Sequence, residues 1–238
     1  MKFVIDPSVF LALPEVVIAV PIIRGFDNTK SQAESLAFLR DAEIHLRSAY
    51  TIEQFWMDKR VTAYLDAFKK FGTDPEVRRP AHVALAKRVL EGGQLPDINP
   101  IVNIYNAISI TYLTPFGGEN LEATRGDFRL FIAKGGEQWF PLGGEKAKPA
   151  IGGELVWGDD IDLSTRALNW RQCDRTKMTN QTTIGFFVMD GFAGINREIM
   201  EAAASDFVKT AVQLLGGSSE IYWMDRSHPK SQEILIRL

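Results

Sequence analysis

The stretch NWRQCDRTKMT, residues 169–179, concentrates side chains that bind or react. Arg171 and Arg175 carry planar donor forks that match a carboxylate or a phosphate. Asn169 and Gln172 offer both donors and acceptors, and Trp170 offers an aromatic face of the kind on which bases stack. Asp174 and Thr176 add an acceptor and a hydroxyl to the same run. A surface turn needs only Gly, Asn, Asp or Pro, so the run exceeds what a connection requires. By spacing alone it reads equally as the wall of a ligand site and as a polar loop bonded to itself.

Other candidates carry less. There is no Gly-x-Ser-x-Gly, and no serine is paired with a plausible histidine base. Cys173 is the single cysteine, which rules out an internal disulfide and a cysteine-based zinc cluster. Arg171 and Arg175 beside it would lower its pKa and activate the thiol; the preferred reading is a small residue in a turn. GGEKAKPAIGGE (143–154) resembles a glycine-rich phosphate cradle. It lacks the spacing of a nucleotide-binding loop and falls between strands. Asp159, Asp160 and Asp162 lack the spaced ligands and glycine turn of a calcium loop, so they read as solvated. Arg78 and Arg79 with Lys87 and Arg88 make a basic patch around a helix, an ordinary solvated face from which Arg79 is kept as a substrate-binding candidate. His82, at the start of that helix, is expected at the surface. The three histidines, His45, His82 and His228, are widely separated, so neither a metal site nor a cofactor is expected.

Composition narrows the class. The chain has 238 residues, 45% hydrophobic and 24% charged, an ordinary globular balance. A formal net charge of −3 argues against a protein that coats nucleic acid or binds DNA, though a small basic mouth for one nucleic-acid end is compatible with it. No apolar run reaches the roughly 18 residues needed to span a bilayer. The start MKFVIDPSVF lacks the apolar core of a signal peptide, and a reducing cytoplasm is the expected location.

The elements that must position these residues read as a mixture. KFVI (2–5) and EVVIAVPIIRG (15–25) are β-branched and predict strands. Residues 31–50 predict a helix, and residues 51–71 a second one opened by the Thr-x-x-Gln of a capping box. GTDPEVRRP (72–80) is the candidate junction, and a helix over 81–90 follows, ended by Gly92 and Gly93. Asn99 as N-cap and Pro100 at the first helical position open another helix. Its apolar stripe is Ile101, Ile104, Tyr105, Ile108 and Tyr112, with Asn103 and Asn106 on a neighbouring face. Short strands are expected over 128–133, 138–142, 153–158, 164–170 and 183–190, then a helix over 196–215 and a last strand over 219–225. The expected fold class is α+β, a mixed or antiparallel sheet layered with helices, in a single domain over 1–238.

INPIVNIYN (98–106), GELVWGDD (153–160) and TKMTNQTT (176–183) together resemble the B3/4 domain family, over about 75–215, with 1–74 as an N-terminal strand and helix extension. Such domains occur inside the β chain of bacterial phenylalanyl-tRNA synthetases and as freestanding proteins, and the NWRQ form is similar to the freestanding ones. The resemblance implies the tRNA-editing fold and a pocket that hydrolyses the ester of a wrongly attached amino acid. It places the pocket asparagine on Asn106, the glycine-bearing floor on Leu168 to Trp170, and the Thr-x-x-Thr on Thr179 and Thr182. Three positions depart. Gly117 stands where the synthetase has its pocket histidine, Val188 where its glutamate reads the tyrosine hydroxyl, and Arg-Gln-Cys-Asp where it has Gly-Gly. Losing a hydroxyl reader costs about 10⁴-fold in discrimination, so tyrosine is not the expected substrate, and a different, more polar amino acid fits Arg171, Gln172 and Asp174 better.

The leading expectation is a trans-acting aminoacyl-tRNA deacylase. Asn106, Arg171 and Gln172 would orient water and stabilise charge, and Asn169, Trp170, Asp174, Arg175, Thr176 and Arg79 would hold the substrate, with aminoacylated tRNA as partner. The alternatives are a non-catalytic module that binds RNA or a small molecule in the same pocket, and a protein-interaction domain that docks through residues 31–71.

Overall fold

The computed structural model describes residues 1–234. The chain runs β1 (Phe3–Ile5), α1 (Pro7–Ala12), β2 (Val16–Arg24), α2 (Gln32–Ala49), α3 (Ile52–Met57), α4 (Lys59–Lys70), α5 (Ala81–Leu90) and α6 (Pro100–Tyr112). It continues through β3 (Gly117–Asn120), β4 (Phe128–Ile132), β5 (Leu155–Gly158), β6 (Leu163–Arg166), β7 (Arg171–Gln172), β8 (Ile184–Phe192), α7 (Ala193–Leu215) and β9 (Ser218–Met224). The fold is α+β. A mixed sheet has the order β1-β4-β5-β6-β7, in which only β1 and β4 run parallel. An antiparallel sheet has the order β3-β8-β2-β9. Among the described residues no helix is long and apolar enough to cross a membrane.

The period of two along β2 and β8 explains the layering. Ile18, Val20, Ile22 and Phe186 turn to the mixed sheet and meet Phe3, Phe128, Leu130 and Trp157, with Tyr64 and Phe68 of α4 in the same core. Val17, Ala19, Ile23, Phe187 and Met189 turn the other way, onto α6 and α7. Both faces of these strands are covered, so they read as continuous apolar runs.

Helix α6 differs from its expected one-sided stripe: every residue from Pro100 to Ile110 is buried. It lies between α7 and the antiparallel sheet on one side and α2 and α5 on the other. The predicted helix over 51–71 is two helices. Its capping box forms as expected, but Asp58 takes an extended conformation and accepts from the Arg60 N–H, ending α3 and capping α4. Residues 138–142 form no strand; Pro141 lacks the N–H a ladder needs, and only a single bridge, Pro141 to Cys173, is made. Helix α7 carries non-helical backbone at Asn196. There the side-chain Oδ1 accepts from the Phe192 N–H at 2.9 Å, and Nδ2 donates to the Tyr64 hydroxyl at 3.0 Å. His82 is fully buried, with Nε2 3.0 Å from the Arg60 carbonyl, and burial lowers its pKa to about 4.

Candidate functional site

A cavity of about 330 Å³ opens between α5, α6 and the two sheets. Its floor is set by strand register. Gly117 of β3 lies directly across from Val188 of β8, and Glu119 across from Phe186. Side chains two apart on a strand share a face, so Gly117, Glu119, Val188 and Asp190 all line the cavity. The two carboxyls stand four strand positions apart, about 13 Å along the strand direction. They bracket the floor and are too far apart to share a proton.

Both acids are buried, Glu119 at 4% and Asp190 at 3% exposure. Burial disfavours the charged form and pushes each carboxyl up to about 7, against the lowering effect of hydrogen bonds. Glu119 Oε1 accepts from the Ser164 hydroxyl, and Oε2 accepts from Gln172 Nε2 at 2.8 Å. Gln172 Nε2 also donates to the Gly118 carbonyl at 2.6 Å. Asp190 Oδ1 accepts from Trp157 Nε1 at 3.1 Å, and Oδ2 accepts from Asn169 Nδ2 at 3.2 Å. The Asp190 carbonyl accepts from Tyr64 Oη at 2.5 Å, which ties this end of β8 to α4 and to Asn196.

The opposite wall is the 167–172 turn and β7. Ala167 and Leu168 both lie in the left-handed region, at φ +46° and +59°. That conformation costs an L-residue about 1–2 kcal/mol, and here it reverses the chain so that Asn169 reaches one carboxyl and Gln172 the other. Trp170 and Arg171 line the mouth. The Arg78 and Arg171 guanidinium carbons lie 5.0 and 5.6 Å from the Trp170 ring, within cation–π range.

Five of the expected site residues therefore meet in one cavity: Asn106 from α6, and Asn169, Trp170, Arg171 and Gln172 from the wall. Four lie elsewhere. Arg175 pairs with Asp159 at 2.7 Å and Asp162 at 2.5 Å and donates to the Ala123 carbonyl. Asp174 accepts from the Gly143 N–H and from Lys177. Thr176 is fully buried against Cys173, and Arg79 pairs with Glu76. The Thr179 and Thr182 pair forms a turn: the Thr179 N–H donates to Thr182 Oγ1 at 3.0 Å, and the Thr179 carbonyl accepts from Asn28. In the acidic 159–162 loop, Asp159 and Asp162 are thus sequestered by Arg175, while Asp160, paired with Arg129, stays exposed to solvent as expected. Cys173 is fully buried, and burial pushes its thiol above the ordinary value, opposite to the activation its arginine neighbours suggest. Among the described residues, no group of three or more His, Cys, Asp or Glu side chains is placed to hold a metal ion.

Sequence reasoning missed Glu119 and Asp190. Asp190 closes the expected strand 183–190 and Glu119 follows two glycines, so neither carries a local sign of burial. The signal was period two: Gly117 and Val188 were already assigned to the pocket, and two residues further along each strand lie the carboxyls.

The fold is similar to the crystal structure of an N-terminal fragment of the phenylalanyl-tRNA synthetase β-subunit from Pyrococcus horikoshii, with a TM-score of 0.50 and 12% sequence identity. The match covers 91% of this chain and 49% of that one, so the chain spans about half the length of the fragment. No curated protein matches the chain. The family model described as the B3/4 domain matches residues 63–212, taking in most of α4 as well as the elements that build the cavity. On that match, the chain belongs to the B3/4 domain family.

Proposed function

We propose that this chain binds the aminoacylated 3′ end of a tRNA in the cytoplasm and hydrolyses its ester, a freestanding counterpart of synthetase editing. The observation that carries this reading is Glu119, a buried carboxyl on the cavity floor, steadied by Ser164 and Gln172, with a pKa of about 7. A general base is most effective with its pKa near the working pH, and Glu119 fills the role left open by Gly117. In the proposed step, Glu119 takes a proton from water as the water oxygen adds to the ester carbonyl carbon. Asn106 and Arg171 donate to the developing oxyanion. The intermediate collapses with cleavage of the bond to the ribose oxygen, which recovers the proton from Glu119. The products are the free amino acid and a tRNA with its terminal hydroxyl restored. Arg171, beside the Trp170 ring, sets positive charge and an aromatic face at the mouth, suited to the terminal phosphate and base.

The test is a panel of mischarged tRNAs, following release of the amino acid. Release that Glu119→Gln suppresses by about 10²-fold or more supports the reading, and no release on any member overturns it. A second reading, binding without turnover, is favoured by the bonds that already occupy both Glu119 oxygens. A ligand-induced thermal shift without release would select it.

A further inference from the structure

The Asp190 end of the cavity has a chemistry of its own. Asp190 is held only by neutral donors, Trp157 Nε1 and Asn169 Nδ2. The basic side chains near the site are committed elsewhere: Arg78 and Arg166 pair with Glu154, and Arg171 is exposed at the mouth. Asn169 is 9% exposed, and its Oδ1 is buried at the same end without a donor. Around these acceptors the lining is apolar and aromatic, from Phe128, Trp157, Leu168 and Val188.

We infer that the Asp190 end is a subsite for an ammonium group carried on an apolar stem, so that, on the reading above, the ester served is that of a basic amino acid of the lysine class. A bound ammonium supplies up to three donors where acceptors outnumber donors, and it gives the Asp190 carboxyl the counter-charge that the chain does not provide. A ligand anion would face a carboxyl and an acceptor with no cation beside them. A neutral hydroxyl would leave any carboxylate charge buried and unpaired, which is unfavourable. The stem lies against the Trp157 and Phe128 rings, stacked at 5.2 Å, and Trp157 adds a cation–π face. Tyr64 and Asn196 anchor the Asp190 backbone, so the subsite is set before the ligand arrives.

The experiment titrates the full chain calorimetrically with L-lysinamide and with L-norleucinamide. The two share the α-ammonium and the stem and differ in the terminal ammonium. The expected result is binding of lysinamide about tenfold or more tighter than norleucinamide, with the preference lost in Asp190→Asn. Equal binding of the two by the wild-type chain, or binding of neither, overturns the inference, and this arm needs no variant to fold. A preference that survives in a folded Asp190→Asn variant also overturns it. Lysinamide binding that depends on Asp190, in a chain that releases no amino acid from any tRNA, would sink the deacylase reading and uphold the subsite. Release from neutral esters with equal binding of the two amides would do the reverse.

Discussion

Gln172 Nε2 donates to Glu119 Oε2 at 2.8 Å, across the gap between β7 of the mixed sheet and β3 of the antiparallel sheet. This bond favours the ionised carboxylate and opposes the burial that raises its pKa. Gln172→Ala removes it, so the Glu119 pKa rises further. In a deacylation assay the rising limb of the pH profile, near 7 in the wild type, is expected to move to higher pH, with little change above it. A limb that stays in place would show that Glu119 does not set the rate.

Stability should carry the imprint of the same buried acids. The folded pKa of about 7 for Glu119 and Asp190 lies above the ordinary values of 4.5 and 3.8. A raised pKa means the folded state holds the proton more tightly than the unfolded state. The stabilisation is therefore complete below about pH 4 and is lost as pH rises to about 7, with no further change above. Glu119→Gln keeps the shape and has no such proton. Between pH 5 and pH 8 the variant should gain on the wild type by an amount on the order of 3 kcal/mol, read from urea melts. Parallel pH profiles would contradict the assignment.

Arg175 belongs to the scaffold. Its guanidinium joins Asp159, Asp162 and the Ala123 carbonyl, and both carboxylates are nearly buried. Arg175→Ala strands two acids, and after discounting for the partial exposure of the arginine the expected loss is about 2 kcal/mol. Cavity binding should persist in the folded fraction. A thermal melt paired with a lysinamide titration separates the two effects.

Cys173 should be inert in the folded chain. The thiol is fully buried and its pKa is raised, so a thiol reagent at pH 8 is expected to label it only after denaturant is added. Rapid labelling of native protein would mean that the β7 wall opens.

Much of the frame was legible in the residues. Asn99 and Pro100 announce α6 because an N-cap side chain and a preset φ act locally. The apolar runs of β2 and β8 announce covered strands for the same reason. Elements governed by distant partners were not legible. β3 is four residues, two of them glycine, and pairs only because β8 offers a ladder to it. β7 is two residues and exists because β6 runs beside it. The break at Asp58 depended on a side chain competing with the helix for its own backbone.

For the site, sequence alone determined the polar wall 169–172 and the helix that bears Asn106, because type and spacing sit together in the chain. It could not determine that Asn169 and Gln172 meet two acids, since Glu119 and Asp190 lie 71 positions apart in the chain. Only β3 to β8 pairing puts them on one floor, and only burial between the sheets turns ordinary carboxyls into groups that titrate near neutrality. Burial is a property of everything packed around a residue, and no local pattern encodes it.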